Sequence, residues 1–163
     1  MGSCNSKGCT DLSTEIREII DQHGRDKHNL LPILHDLQRT LGHISPEVME
    51  IVAEELNVPA SEVYGVTTFY TLFYTKPQGK YIIRLCDSPP CHIEGSKKVR
   101  EALMRELGIE PGNTTEDGMF SLEIVSCMGL CGVAPAMMVN DDVYGNLTPE
   151  MIPDILSKYR EAE

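Results

Sequence analysis

The sequence predicts an α+β chain in two parts: a helical bundle over residues 12–78, then a small mixed sheet with helices packed on it over residues 79–163. Three observations carry that expectation. Apolar residues recur at helical spacing through successive segments of the first part. After Lys76-Pro77-Gln78-Gly79 the pattern changes to short β-branched and aliphatic runs around one amphipathic stretch. Two of those runs end in cysteine-bearing loops rich in glycine and proline.

Residues 1–11 (MGSCNSKGCTD) read as a flexible tail. In LSTEIREIIDQHG, Ile16, Ile19 and Ile20 share one helix face, and Gly24 is a natural stop. In HNLLPILHDLQRTLG, Leu30, Ile33, Leu34, Leu37 and Leu41 form one stripe. Asn29 is placed to cap that helix, Pro32 suits its first turn and Gly42 ends it. Ser45-Pro46-Glu47 opens a third helix, with serine as cap and proline just inside; Val48, Ile51, Val52 and Leu56 follow on one face. A fourth begins near Pro59 and runs into VYGVTTFYTLFY. The β-branched and aromatic content of that run makes a strand its rival. Three preceding helices favour a helix, and at least half of Phe69, Tyr70, Phe73 and Tyr74 is expected to be buried in the bundle, the rest being free to dock a partner.

Residues 76–79 read as a linker. Residues 80–85 (KYIIRL) form a short buried strand that ends at Cys86. Ser96–Leu107 is an amphipathic helix with Val99, Leu103 and Leu107 on one side. Residues 118–126 (GMFSLEIVS) are a second strand, ending at Cys127, and residues 136–140 pair with Asp142–Tyr144 as a hairpin. Thr148 is placed to cap a last helix through Tyr159. The order of the second part is then β-α-β-β-β-α.

Composition narrows the function. Lys+Arg 14 against Asp+Glu 25 gives a net charge of −11 over 163 residues. That charge disfavours nucleic acid and anionic membrane surfaces as partners. No apolar run approaches the ~20 residues of a membrane span, and the first residues carry no secretory pattern. Gly2 with Ser6 matches a myristoylation pattern nominally, with nothing else behind it. Six cysteines in such a chain indicate a reducing, cytoplasmic setting, the cytoplasmic face of a membrane complex included. In that setting clustered cysteines serve metals or redox work more often than structural disulfides.

Four of the six fall as two pairs: Cys86 and Cys91 in LCDSPPCHIEGS, and Cys127 and Cys131 in SCMGLCGVAPAMMVN. The spacing is C-x4-C, 35 intervening residues, then C-x3-C. Two loops that each bring two soft, deprotonated sulfurs can hold a 2Fe-2S cluster, whose irons take two thiolates each. Gly95, Gly129 and Gly132 let backbone approach the sulfurs and free N–H groups to point at them, and Pro89, Pro90 and Pro135 stiffen the loops. Three plainer readings compete. Structural zinc accepts four cysteines but usually in C-x2-C knuckles, which are absent. A thiol–disulfide oxidoreductase favours C-x-x-C at a helix start, also absent. Inert buried cysteines would not gather in two such loops.

At these residues the chain resembles the thioredoxin-like 2Fe-2S subunit of NADH:quinone oxidoreductase (complex I), a family that also serves NAD(P)-linked, flavin-containing hydrogenases and formate dehydrogenases. The stretches that carry the resemblance are GVTTFYTLFY, LCDSPPCHIEGS, SCMGLCGVAPAMMVN, YGNLTPE and the helical segment before them, roughly residues 15–160. The resemblance implies a helical N-terminal bundle followed by a thioredoxin-like α/β domain, with Cys86, Cys91, Cys127 and Cys131 as ligands of one 2Fe-2S cluster. It implies a larger flavoprotein partner that binds FMN and NAD(H), with further iron–sulfur subunits in the same complex. The partner transfers hydride, this chain exchanges single electrons, and alone it has no dehydrogenase activity. No nucleotide-binding glycine fingerprint occurs here, in keeping with that division of labour. The alternatives are a free-standing thioredoxin-like ferredoxin serving as a soluble carrier and, more distantly, a zinc protein. A carrier has no need of the helical half.

The remaining candidates read as structural. Cys4 and Cys9 repeat the C-x4-C spacing and are expected to be exposed tail thiols, or else half of a metal site shared with a partner. His92 follows Cys91 and is expected to be an exposed loop residue rather than a ligand. His23, His28, His35 and His43 read as surface or helix-end residues. Met128, Met137 and Met138 supply adaptable packing near the second pair. Glu54, Glu55, Asp141 and Asp142 read as solvated.

Overall fold

The computed structural model describes residues 8–161. They divide between Pro77 and Gln78 into two compact units, each with its own apolar core. No helix among the described residues is long and apolar enough to cross a membrane.

The first unit is helical: α1 (Gly8–His23), α2 (Leu30–Leu41), α3 (Pro46–Leu56) and α4 (Ala60–Phe69). The apolar stripes are its buried faces. Ile16, Ile20, Ile33, Leu34 and Leu37 are wholly excluded from solvent, and Val48, Val52, Leu56 and Val63 pack with them. Each such side chain contributes roughly 1.5–3 kcal/mol, so packing rather than propensity holds these short helices. Ser45 caps α3 by accepting from the Val48 N–H at 3.4 Å, with Pro46 at the first helical position. Gly42, at φ +80°, turns the chain out of α2.

Several details depart from the sequence expectation. α1 opens at Gly8, inside the stretch read as tail, because no glycine or proline interrupts residues 9–23. Cys4 and the side chain of Cys9 lie outside the described residues, and with them the two readings of that pair. Asn29 does not cap α2: its Nδ2 donates to the His23 carbonyl at 2.7 Å and closes the open end of α1. Asp26 supplies the cap of that turn instead, accepting from the His28 N–H at 2.9 Å. Glu55 is not solvated but clamped, at 2.6 Å from Arg17 and 2.5 Å from Arg25. His23 also has a partner, Asp36 of α2, at 2.7 Å.

The fourth helix is shorter than expected. Tyr70 is extended, and Gln38 captures the chain beyond it, donating to the Leu72 carbonyl and accepting from the Tyr74 N–H, both at 2.6 Å. The Tyr74 carbonyl in turn accepts from Ile44 at 2.7 Å. These bonds compete with continued helix and pull the β-branched and aromatic run back along the bundle. Of the four aromatics only Phe73 is buried; Tyr74 is half-buried, Tyr70 is exposed and Phe69 is 76% exposed.

The second unit contains β1 (Tyr81–Cys86), α5 (Pro89–Ile93), α6 (Ser96–Leu107), β2 (Asn113–Thr114), β3 (Phe120–Val125), β4 (Met137–Val139), β5 (Asp142–Tyr144) and α7 (Ile152–Arg160). Its sheet runs β2-β3-β1-β4-β5. β1 and β3 are parallel and every other pair is antiparallel. This is the mixed, thioredoxin-like sheet that the second half was expected to form. Ile83, Leu85, Phe120, Leu122, Met137 and Val139 alternate along three strands into one core with Val99 and Leu103 of α6 and Ile152, Ile155 and Leu156 of α7.

Two elements had no sequence signal. β2 is two polar residues long, and α5 is one turn raised on a double proline. Thr148 makes no side-chain cap; its hydroxyl serves Glu150, and a 3-10 turn over Pro149–Met151 precedes α7. Asp142 is not simply solvated: it accepts from the Tyr159 hydroxyl at 2.7 Å, and Tyr144 meets the same hydroxyl at 2.8 Å. Burial, Tyr144 and Asp142 together push the Tyr159 phenol well above its ordinary range.

Candidate metal centre

β1 and β3 lie side by side and point the same way, with Cys86 opposite Val125. Their carboxyl ends therefore leave the sheet at the same end of the strands, the usual place for a site in a sheet with parallel strands. Each end runs directly into one cysteine loop.

In the first loop Cys86 closes β1 and Cys91 sits in α5. Pro89 and Pro90 fill the opening positions of that turn, where no N–H is required. Both sulfurs are enclosed, at 3% and 2% exposure for Cys86 and Cys91, and the two thiols hydrogen-bond each other. In the second loop Cys127 and Cys131 are exposed, with Sγ atoms 3.7 Å apart. Gly129 turns that loop at φ +79°, a conformation that glycine adopts without strain, and its N–H donates to Cys127 Sγ at 3.4 Å. A 3-10 turn over Cys131–Val133 and a cis Ala134–Pro135 peptide lead back into β4.

The electrostatics follow the burial and the donors. Burial pushes the Cys86 thiol up, but the Ser88 N–H, the Cys91 thiol and the Met128 N–H outweigh it, and Cys86 ends below its ordinary range. Burial raises Cys91; the Ala136 N–H opposes this, and Cys86 and Cys131 add to it. Cys131 is raised first by its contact with Cys127, then by burial and by Cys86. Four backbone N–H groups, those of Ser88, Met128, Gly129 and Ala136, face sulfur. Such donors stabilise anionic sulfur, which is what a bridged iron pair requires of its ligands.

Other expected neighbours fall into place. The His92 side chain is 59% exposed, with its Nδ1 3.3 Å from Asp87 rather than at a sulfur. Met137 is wholly buried in the sheet core, Met138 is half-buried, and Met128 contributes its backbone N–H.

Two residues without a role in the sequence reading hold the loops. Asp87 follows Cys86 and accepts from Ser96 Oγ at 2.8 Å, with His92 at 3.3 Å and Arg100 at 3.6 Å. It ties the end of β1 to α5 and α6. The Ser96 hydroxyl, more than His92 and Arg100, holds its carboxyl below the ordinary range against the opposing effect of burial. Asp87→Ala is expected to destabilise the second unit by about 1–3 kcal/mol, read as a lowered thermal midpoint, and Asp87→Asn by less, since its amide oxygen can still accept from Ser96. Equal midpoints for wild type and alanine variant would remove Asp87 from this role. The signal was the position of Asp87 between the first cysteine and the loop prolines.

The second residue is Gly145, after β5. A Cβ there would lie 2.6 Å from Val133 Cβ and Cγ2 and 2.9 Å from the Val133 carbonyl oxygen. The next two residues fasten the same loop: the Asn146 N–H donates to the Val133 carbonyl at 2.7 Å and the Leu147 N–H to that of Pro135 at 3.1 Å. Only the glycine in YGNLTPE hinted at this.

Among the described residues, no three His, Cys, Asp or Glu side chains converge on a position for a single metal ion. The thiols present themselves as two pairs.

The chain is similar to known proteins over most of its length. Residues 16–160 match the family model of the thioredoxin-like 2Fe-2S ferredoxins. The chain is 38% identical over 148 residues to the NADP-reducing hydrogenase subunit HndA of Solidesulfovibrio fructosivorans, covering 91% of this chain and 86% of that one. It is 38% identical over 154 residues to an NADH-quinone oxidoreductase subunit of Escherichia coli K12 (92% and 93% covered) and 39% identical over 149 residues to the corresponding protein of Aquifex aeolicus (91% and 93%). Its fold is similar to part of the crystal structure of an air-oxidised NAD+-reducing NiFe-hydrogenase, with a TM-score of 0.70 at 24% identity over 85% of this chain; the chain spans only 24% of that one. On the family match and on this identity over nearly its whole length, the chain belongs to the thioredoxin-like 2Fe-2S ferredoxin family.

Proposed function

We propose that this chain is an electron-transfer subunit that carries one 2Fe-2S cluster on Cys86, Cys91, Cys127 and Cys131 and exchanges single electrons with the FMN of a partner NAD(H)-binding flavoprotein. The observation that carries the reading is that β1 and β3, adjacent and parallel, each run at their carboxyl ends into a loop bearing a cysteine pair, with backbone N–H groups aimed at sulfur. When bound, such a cluster supplies a one-electron couple. Cys86, at the end of β1, and Cys91, within α5, are buried and anchor the enclosed side. Cys127 and Cys131 form the exposed edge, which supports electron exchange with a second protein. The N–H donors favour the more negative, reduced state and so raise the potential.

The partner is the part drawn from relatives. The hydrogenase and quinone-oxidoreductase subunits above belong to enzymes that use nicotinamide nucleotides, which supports a larger flavoprotein and further iron–sulfur subunits around this chain. The chain then works in the cytoplasm, without dehydrogenase activity of its own. Residues 79–163 form the cluster domain and residues 12–78 a separate helical domain, a reading supported by the division at Pro77 and by the two separate cores.

The test is anaerobic purification followed by iron and zinc analysis and EPR before and after dithionite. About two irons per chain, and a rhombic S = 1/2 signal only after reduction, are expected. Cys127→Ser should lose that signal or shift it strongly. Zinc without a signal, or a Cys127→Ser variant with unchanged iron and spectrum, would overturn the ligand assignment.

A further inference from the structure

The two thiol pairs differ in a way that the cluster reading does not use. Cys86, which closes β1, and Cys91, within α5, are buried. Cys127 and Cys131 are exposed and their sulfurs already touch, at 3.7 Å. The loop between them lies in no strand or helix until the short turn at Cys131, and Gly129 gives it a hinge at φ +79°. A disulfide needs the sulfurs at about 2.05 Å, so the gap closes by a side-chain rotation and a small loop adjustment. Four cysteines allow three pairings. Among the four described cysteines, only this pairing joins two sulfurs that a solute can reach.

We propose that, in the cluster-free chain, Cys127 and Cys131 form a selective dithiol–disulfide site that gates cluster loading. A low-molecular-weight disulfide is the oxidant. The thiolate of Cys127 or Cys131 attacks one of its sulfurs, forming a mixed disulfide and releasing one thiol. The neighbouring thiolate then attacks the protein-bound sulfur, forms the Cys127–Cys131 bond and releases the second thiol. Two electrons pass from the protein dithiol to the reagent disulfide, and the two protons leave with the released thiols or to water. The buried pair stays reduced because the reagent cannot align with enclosed sulfur. The oxidised loop has no thiolate left for iron, so the chain is closed to loading until a thiol reductant reverses the exchange. The pairing rests on the loop geometry; its consequence for loading rests on the cluster reading above.

The test uses the full chain, stripped of metal by a chelator under reductant and then treated anaerobically with oxidised glutathione. Protease mapping after alkylation reads each cysteine separately, Cys4 and Cys9 included. A linkage of Cys127 to Cys131, with a loss of about 2 Da and with Cys86 and Cys91 alkylated only after denaturation, is the expected result. Iron and sulfide uptake, followed by visible absorbance, should be largely lost in that sample and return after dithiothreitol. In Cys131→Ser, glutathione should remain on Cys127 as a mixed disulfide. Linkage of Cys127 or Cys131 to any other cysteine, or persistence of both as free thiols, would overturn the inference while leaving the cluster reading intact. Undiminished loading of the oxidised sample would overturn the gate. Failure of the fully reduced sample to load would instead count against the cluster reading.

Discussion

Gly145→Ala is expected to cost the protein most of its cluster, although Gly145 lies fourteen residues beyond the last cysteine. The added methyl would sit 2.6 Å from two Val133 carbons and 2.9 Å from the Val133 carbonyl oxygen. Side-chain movement alone does not relieve this, since one of the three atoms is backbone and another is a Cβ. Val133 must shift as a unit, and it belongs to the same turn as Cys131. The bond from Asn146 to the Val133 carbonyl fastens the two segments together, so the strain passes directly into the loop that bears Cys127 and Cys131. Overpacking of this kind costs about 1–3 kcal/mol, and it displaces sulfur as well. Iron content should fall and the EPR signal of what remains should broaden or shift. The double variant Gly145→Ala/Val133→Gly removes two of the three clashing atoms and should recover much of the loss. An unchanged spectrum and iron content in Gly145→Ala would show that the loop does not depend on this approach.

Gly79→Ala is expected to unfold or severely weaken the second unit. A Cβ on Gly79 would lie 2.7 and 2.9 Å from the backbone C and N of Phe120 and 3.0 Å from the backbone C of Met119. All three are main-chain atoms at the entry to β3, and none can rotate away. Gly79 also donates to Ser121 Oγ at 2.8 Å, and the Tyr81 N–H donates to the Met119 carbonyl at 2.8 Å. Separating these segments breaks the start of the parallel pair and disturbs Phe120, which is 1% exposed in the core. A loss of about 3 kcal/mol or more, read from denaturant unfolding of the second unit, is expected. A loss below about 1 kcal/mol would show that β3 can yield here.

These positions mark the limit of what was legible in the sequence. The stripes around Ile16, Leu34 and Val52 were readable because helical period and burial are one signal. The strands that lead to Cys86 and Cys127 were readable as short aliphatic runs, although the second stops at Val125, two residues before its cysteine. The four cysteines declared themselves by pairing. What escaped depends on partners distant in sequence. Gln38 draws in the chain at residues 72–74, Glu55 is held by Arg17 and Arg25, and Gly145 sits under Val133. No local pattern encodes such contacts. Asn29 misled for a related reason: a good capping residue found a better acceptor at the end of the preceding helix.

The parallel register of β1 with β3 has one more consequence. The loops that bear the two cysteine pairs leave the sheet side by side because Cys86 stands opposite Val125, whatever the length of chain between them. That intervening chain runs through α6 and out to the edge strand β2. Residues added or removed in the turn after α6 would leave the strand ends where they are. The 35-residue separation of the pairs is therefore a property of the crossover and not of the centre. A search for proteins built the same way should fix the short C-x4-C and C-x3-C intervals and let the long one vary.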